Sequence, residues 1–287
     1  MNYFLLFLTG LFILFQKVCQ DRFNARCRSG VFLFSGMISF FAMCFFMAIN
    51  RDWAWSAELI LPAVGFGLSY AAATVFMVMA IRCGSLAKTA LISSYSLLVP
   101  AFAGLIILRE PLGIPMLAGI ALLAVSLWLT NYRKTDAADP RERVTAKWVI
   151  CVALGFIGNG MCSTVQKLTP HFLGADVNQN LYMIMALGLS AAVLITVSFL
   201  TGEGDRRTVL RVGAPLALLC GLCNGVVNFL AIYLNQFIPA SVMFPAISAL
   251  EIILVMSYAI LVRRERFTAA QWVGFGVGVL SVILLNL

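Results

Sequence analysis

The stretch LREPLGIPMLAGIALLAVSLWLTN, residues 108–131, has a second version later in the chain: RRERFTAAQWVGFGVGVLSVILLN, residues 263–286. In both, an acidic turn opens onto an apolar run. Glu110 matches Glu265, Gly119 matches Gly274 and Asn131 matches Asn286, each at an offset of 155. Near the starts of the two halves, Gln16-Lys17 matches Gln166-Lys167 and Gly10 matches Gly160, at an offset of 150. One such match is weak. Several matches in the same order at a near-constant offset predict a unit that occurs twice.

Composition says what kind of unit it is. Of 287 residues 62% are hydrophobic and 11% charged, and the mean hydropathy is +0.97. Soluble domains are about half apolar and about a quarter charged. One water-soluble globule cannot hide this much apolar surface, so the chain reads as a polytopic membrane protein. About 20 apolar residues span a bilayer core as a helix. That length marks ten segments, at 2–18, 30–49, 57–80, 86–108, 112–131, 146–167, 178–200, 211–234, 239–262 and 268–286. The opening run, MNYFLLFLTGLFILFQK, lacks a basic n-region and a small-residue cleavage site, so it reads as a retained first helix. The longest connection, NYRKTDAADPRERVTAK at 131–147, is polar and charged. It divides the chain into a first five-helix repeat (1–131), a charged linker (132–145) and a second five-helix repeat (146–287).

The net charge of +8 raises the question of nucleic acid. The basic residues fall in short clusters between apolar runs, such as KVCQDRFNARCR and RRER, with no long basic face and interleaved aromatics. Nucleic-acid binding is therefore not expected. The loops carry a second signal. Segment 1 is followed by Lys17, Arg22, Arg26 and Arg28, and segment 6 by Lys167 alone. Arg51 follows segment 2, whereas Arg206, Arg207 and Arg211 follow segment 7. Arg82 and Lys88 follow segment 3, and segment 8 has none. Arg109 follows segment 4, and Arg263, Arg264 and Arg266 follow segment 9. Every rich loop in one half meets a poor loop in the other. An odd number of helices per repeat turns the second copy over, and cytoplasmic loops collect Lys and Arg. The alternation is what two inverted repeats require. It places the odd-numbered loops in the cytoplasm and both termini on the other side of a cytoplasmic membrane, here expected to be bacterial.

Polar residues inside such spans carry the functional information. Glu251 sits near the middle of segment 9, where a charge costs about 2.5–3.5 kcal/mol on insertion scales. It is read as a proton or cation site, or else as a protonated or paired side chain that holds helices together. Its mate at offset 155 is Ser96, so the acid exists in one half only. Asn224 and Asn228 share one face of segment 8, and Asn159, Ser163 and Gln166 form a stripe on segment 6. Buried amides bond either a solute or another helix. Tyr70 and Thr74 share a face of segment 3; Ser93 and Tyr95 precede Pro100 on segment 4. The tyrosines suit stacking on a planar or cationic ligand, or plain aromatic packing; the serines suit a solute or carbonyls freed by a kink. Lys17 and Lys88 are candidate charge partners, unless they reach back to the membrane surface. Gly274 and Gly278 allow close helix approach, through a homodimer of segments 5 and 10 or within the chain. The CGLC at 220–223 has redox spacing but lies in an apolar run, where small packing residues are the simpler reading. Zinc-type spacing, a Walker loop and a serine-nucleophile elbow are absent, and the lone histidine is His171. Neither enzymatic activity nor a cofactor is expected.

Two stretches, AIRCGSLAKTALISSYSLLVPAFAGLIILREPLGIPMLAGIALLAVSLWL (80–129) and QFIPASVMFPAISALEIILVMSYAILVRRERFTAAQWVGFGVGVLSVILL (236–285), share a plan. A small-residue helix start leads through a long helix to Glu110 or Glu265, and a glycine-containing helix closes the half. In this plan the chain resembles the drug/metabolite transporter superfamily, EamA type, over essentially its whole length. The resemblance implies an alternating-access carrier of small solutes. Its cavity would be lined by helices one to four of each half, with the fifth helices outside. Segments 1 and 6 hold no Asp or Glu within their apolar spans, so the first-helix acid of the related four-helix exporters has no counterpart here. The expected function is secondary transport of a small organic solute, proton-coupled or by exchange. A membrane scaffold or lipid-handling protein is the alternative.

Overall fold

The computed structural model describes residues 2–27, 29–84, 89, 92–93, 95–96, 98–109, 113–131, 145–174, 177–202, 206–262 and 268–285. Among these the chain is all-helical. Its ten principal helices are α1 (Asn2–Arg26), α2 (Val31–Ile49), α3 (Ile60–Cys83), α4 (Leu98–Ile107), α5 (Ile114–Asn131), α6 (Ala146–Leu173), α7 (Gln179–Thr201), α8 (Ala214–Leu234), α9 (Ala240–Leu261) and α10 (Ala269–Leu285). A 3-10 turn, Ala57–Leu59, leads into α3. A single helical turn, Arg206–Thr208, and a π-helical stretch, Val209–Gly213, lead into α8. Seven of these helical spans are long and apolar enough to cross a membrane; α4, α5 and α10 are shorter apolar helices. This is the helix content of a membrane protein.

Two helices run further than their apolar runs suggest. α1 continues past residue 18 to Arg26. Its last turns bury Phe23 completely and stack it on Phe34, with centroids 3.8 Å apart and planes 2° apart. A helix continues while one face has something to bury against, even when Asp21, Arg22 and Arg26 ride on the others. α6 likewise continues past residue 167 to Leu173, because Val165 and Leu173 pack against the core around Phe66 and Tyr182.

The helices form two compact units, and each draws on both sequence halves. One unit comprises Phe12–Val75 and Met161–Tyr233. Its core is built from Ala42, Phe46, Phe66, Tyr182, Met183 and Leu187. Here α2 packs on α7 through glycines: a Cβ at Gly36 would stand 2.7 Å from Ile195, and one at Gly188 would stand 3.0 Å from the Met43 sulfur. The contact runs up one helix as it runs down the other, so the pair is antiparallel. α2 also approaches α8 closely, where a Cβ at Gly221 would stand 2.8 Å from the Ile38 carbonyl oxygen.

The other unit comprises Met1–Leu11, Phe76–Gly160 and Leu234–Leu287. Leu123, Leu127 and Ala249 form one core cluster, with Leu98 and Ile252 against it. α5 and α10 are joined by two buried hydrogen bonds. The Ser126 hydroxyl donates to the Gly274 carbonyl (2.7 Å), and the Ser281 hydroxyl donates to the Gly119 carbonyl (2.8 Å). Gly278 also meets the Ser126 side chain, at 2.8 Å from a built Cβ. The small-residue stripe of α10 is thus filled from within the chain. At the other helix pairs of this unit, Gly10 receives Leu254 and Gly160 receives Val99.

Candidate functional site

In the unit holding the C-terminal part of α6 and the body of α8, polar side chains from four helices meet. Gln166 on α6 donates its amide to Asn228 on α8 (3.2 Å). Asn228 donates one turn back along α8, to the carbonyl oxygen (2.9 Å) and the side-chain oxygen (3.1 Å) of Asn224. The Tyr70 hydroxyl on α3 lies against the side chains of Asn224 and of Ser39 on α2, in hydrogen-bonding reach of both. Gln166 and Asn224 are 5% and 7% exposed, in spans that are otherwise apolar. Pro170, inside α6, has no N–H to donate to the Gln166 carbonyl, which leaves this turn of the helix one internal bond short. The cluster offers neutral donors and acceptors with no nucleophile and base in register.

Local geometry explains why these residues converge. Asn224 and Asn228 are four apart on one helix, and Gly221 and Gly225 alongside them admit Phe41 and Phe45 of α2. That close approach carries Ser39 to Tyr70. Thr74, expected to act beside Tyr70, spends its hydroxyl on the Tyr70 carbonyl (3.0 Å), a bond within its own helix. Ser163 lies partly buried on the same stripe of α6 as Gln166.

The remaining candidates fall in the other unit. Asn159 donates to the Ser96 hydroxyl (2.5 Å), and Ser96 donates in turn to the Ser93 carbonyl (2.6 Å). Ser96 is fully buried. The Tyr95 hydroxyl donates to the Ala124 carbonyl on α5 (2.6 Å), a strut between helices. Glu251 is half-buried on α9, on the turn whose Leu250 and Leu254 meet Gly10 of α1. The candidates read from sequence are therefore divided between the two units. Gln166, Asn224, Asn228 and Tyr70 belong to one unit, and Asn159 and Glu251 to the other.

The lysines differ from their sequence reading. Lys88, with Glu110 and Glu265, lies outside the described residues. Lys17 is nine residues from the end of α1, not near it, and is exposed. Lys167, assigned to a loop by its sequence, is six residues inside α6 and only 8% exposed. Lys167 and Ser39 are the buried polar residues that sequence reasoning missed. For Lys167 the available signal was its place one residue beyond Gln166. Ser39 had no signal, since a serine in an apolar run is ordinary. Among the described residues no group of three His, Cys, Asp or Glu side chains could hold a metal ion.

No family model and no curated protein matches the chain. A solved structure described only as "Crystal structure of protein" superposes on all of this chain and on 98% of its own, with a TM-score of 0.76 at 12% identity. The likeness establishes a shared fold.

Proposed function

We propose that the chain is a secondary transporter that moves a small organic solute across a cytoplasmic membrane by alternating access. The observation that carries this reading is the hydrogen-bonded run from Gln166 through Asn228 and Asn224 to Tyr70, drawn from three apolar helices. Amides are costly in a membrane span unless they bond, and the same donors and acceptors suit a polar solute. Nothing in the run supplies a catalytic pair.

The proposed architecture is two inverted five-helix repeats, as in the EamA-type drug/metabolite transporters that the sequence resembles. Reciprocal contacts support it. Ser126 and Ser281 are 155 apart in sequence, as are Gly119 and Gly274, and each serine bonds the other helix's glycine. Gly36 and Gly188 are 152 apart, as are Met43 and Ile195, and each glycine meets the other pair's side chain. Gly10 and Gly160 are 150 apart, Val99 and Leu254 are 155 apart, and the contacts again exchange. Contacts that swap in this way are the signature of a two-fold axis. Because the α2–α7 and α5–α10 pairs are antiparallel, the axis would lie in the membrane plane. Two such repeats can exchange conformations and so open a site to either side.

On this reading Glu251 is the proton or cation site, and Ser96, bonded to Asn159, marks the same place in the first half. A homodimer would use the outward faces of α5 and α10, where Trp128, Val273 and Leu280 are about half exposed. The test is flux into proteoliposomes across a compound panel, with and without a pH gradient, for wild type and Glu251→Gln. Gradient-driven flux in wild type that the variant loses supports the coupling. Equal gradient-driven flux in both would sink it. A scaffold or lipid-handling role is the second reading, favoured by the interhelical struts at Tyr95 and Asn159. Absence of flux for every compound would leave it standing.

A further inference from the structure

The CGLC of α8 gains a third thiol from α1. Cys220 donates to the Gln16 carbonyl of α1 (3.5 Å), which puts the α1 backbone itself beside its sulfur. Cys19 lies one turn beyond Gln16 on the same face of α1, and its thiol is in hydrogen-bonding reach of Cys220. Cys223, one turn along α8 from Cys220, also comes close to Cys19. All three lie in the same compact unit, and Cys19 packs on the core cluster that holds Phe23, Phe34 and Cys220. Cys220 is fully buried, whereas Cys19 and Cys223 are partly exposed. Cys19 sits where the apolar run of α1 gives way to Gln20, Asp21 and Arg22, so an oxidant dissolved in water reaches it first. Packing explains a small residue at 220. It does not call for a second sulfur set against it from another helix.

We propose that Cys19 and Cys220 are an oxidation site, at which a hydroperoxide converts the pair to a disulfide that ties α1 to α8. The Cys19 thiolate attacks the peroxide, the O–O bond breaks, and an alcohol (or water, from hydrogen peroxide) leaves as Cys19 becomes a sulfenic acid. Cys220 then attacks that sulfur, the S–O bond breaks and water leaves. Two electrons and two protons pass from the thiol pair to the peroxide. Cys220 is one turn from Asn224 on α8 and stands beside Tyr70, so the bridge closes next to the polar run. The end of α1 that carries Arg22 and Arg26 is the one the charge pattern places in the cytoplasm, where thiols are kept reduced. The bridge is then a response to oxidant, not a permanent clasp. This site goes beyond the transport reading and does not depend on it.

The test treats the purified, reduced full-length protein in nanodiscs with hydrogen peroxide or cumene hydroperoxide. Free thiols are then counted in denaturant, and disulfide-linked peptides are identified by mass spectrometry. The expected result is loss of two of the eight thiols per chain, with the chain still monomeric on a non-reducing gel. The dominant linked peptides should join Cys19 to Cys220, and a phosphine reductant should separate them. Cys223→Ser should form the same bridge, and Cys19→Ser should form none. The peptide map of wild type decides the matter by itself should Cys19→Ser fail to fold. Retention of all eight thiols, a bridge from Cys220 to Cys223 or from Cys19 to Cys223, a link between two chains, or a disulfide that still forms in Cys19→Ser would each overturn the assignment.

Discussion

Asn228 is the hinge of the polar run, because it both accepts from Gln166 and donates to Asn224. Asn228→Leu keeps the volume roughly and removes both functions, stranding the Gln166 amide. Hydrogen bonds between membrane helices average about 0.6 kcal/mol and reach about 1.7. We expect Asn228→Leu to lower stability by about 1 kcal/mol, measured by unfolding in mixed detergent, while flux falls far more steeply than the folded fraction. A loss of flux no larger than the loss of folded protein would make the run packing alone. Tyr95 is the contrasting case. Its hydroxyl is used up on the Ala124 carbonyl, so Tyr95→Phe should cost about 0.6 kcal/mol and leave the apparent affinity for the transported solute unchanged. A clear rise in KM for that variant would return Tyr95 to the solute.

At the scale of helices, close approach rests on glycine. A side chain at Gly221 would collide with the backbone of α2, where the Ile38 carbonyl cannot move aside cheaply. Gly221→Val should therefore destabilise by about 1–3 kcal/mol, the usual cost of overpacking. Gly276, which has open space beside it, should accept the same change with little effect. Comparing the two variants by thermal unfolding checks the register of α8 on α2. The paired bonds between α5 and α10 allow a sharper comparison. If the two-fold relation holds, Ser126→Ala and Ser281→Ala should each cost about 0.6 kcal/mol, alike within error. A large inequality would count against it.

At the scale of the molecule, orientation follows from charge. Past the apolar run of α1 come Arg22, Arg26 and Arg28, whereas past that of α6 comes Lys167 alone. Both termini should then face away from the cytoplasm. A single cysteine added at either end of a cysteine-free variant should react with a membrane-impermeant maleimide in intact cells. Labelling only after lysis would reverse the topology. The compact units are a separate matter from the sequence halves. Each unit takes helices from both, so a cut in the 132–145 linker does not divide one folded body from another.

The all-helical class and the membrane class were legible because both depend on length and hydropathy, which are local properties of a chain. The pairing of Ser126 with Gly274 was half legible: offset 155 marked related residues but not that they touch. Asn224 and Asn228 could be placed on one face from spacing alone. That Gln166 and Tyr70 join them, and Asn159 instead finds Ser96, was decided by how helices far apart in sequence pack. Lys167 shows the limit most plainly. Its residue type and its neighbours suggested a loop, since a lysine ends an apolar run. The tertiary fold offered Val165 and Leu173 a core to bury against, the helix went on, and the lysine went inside with it.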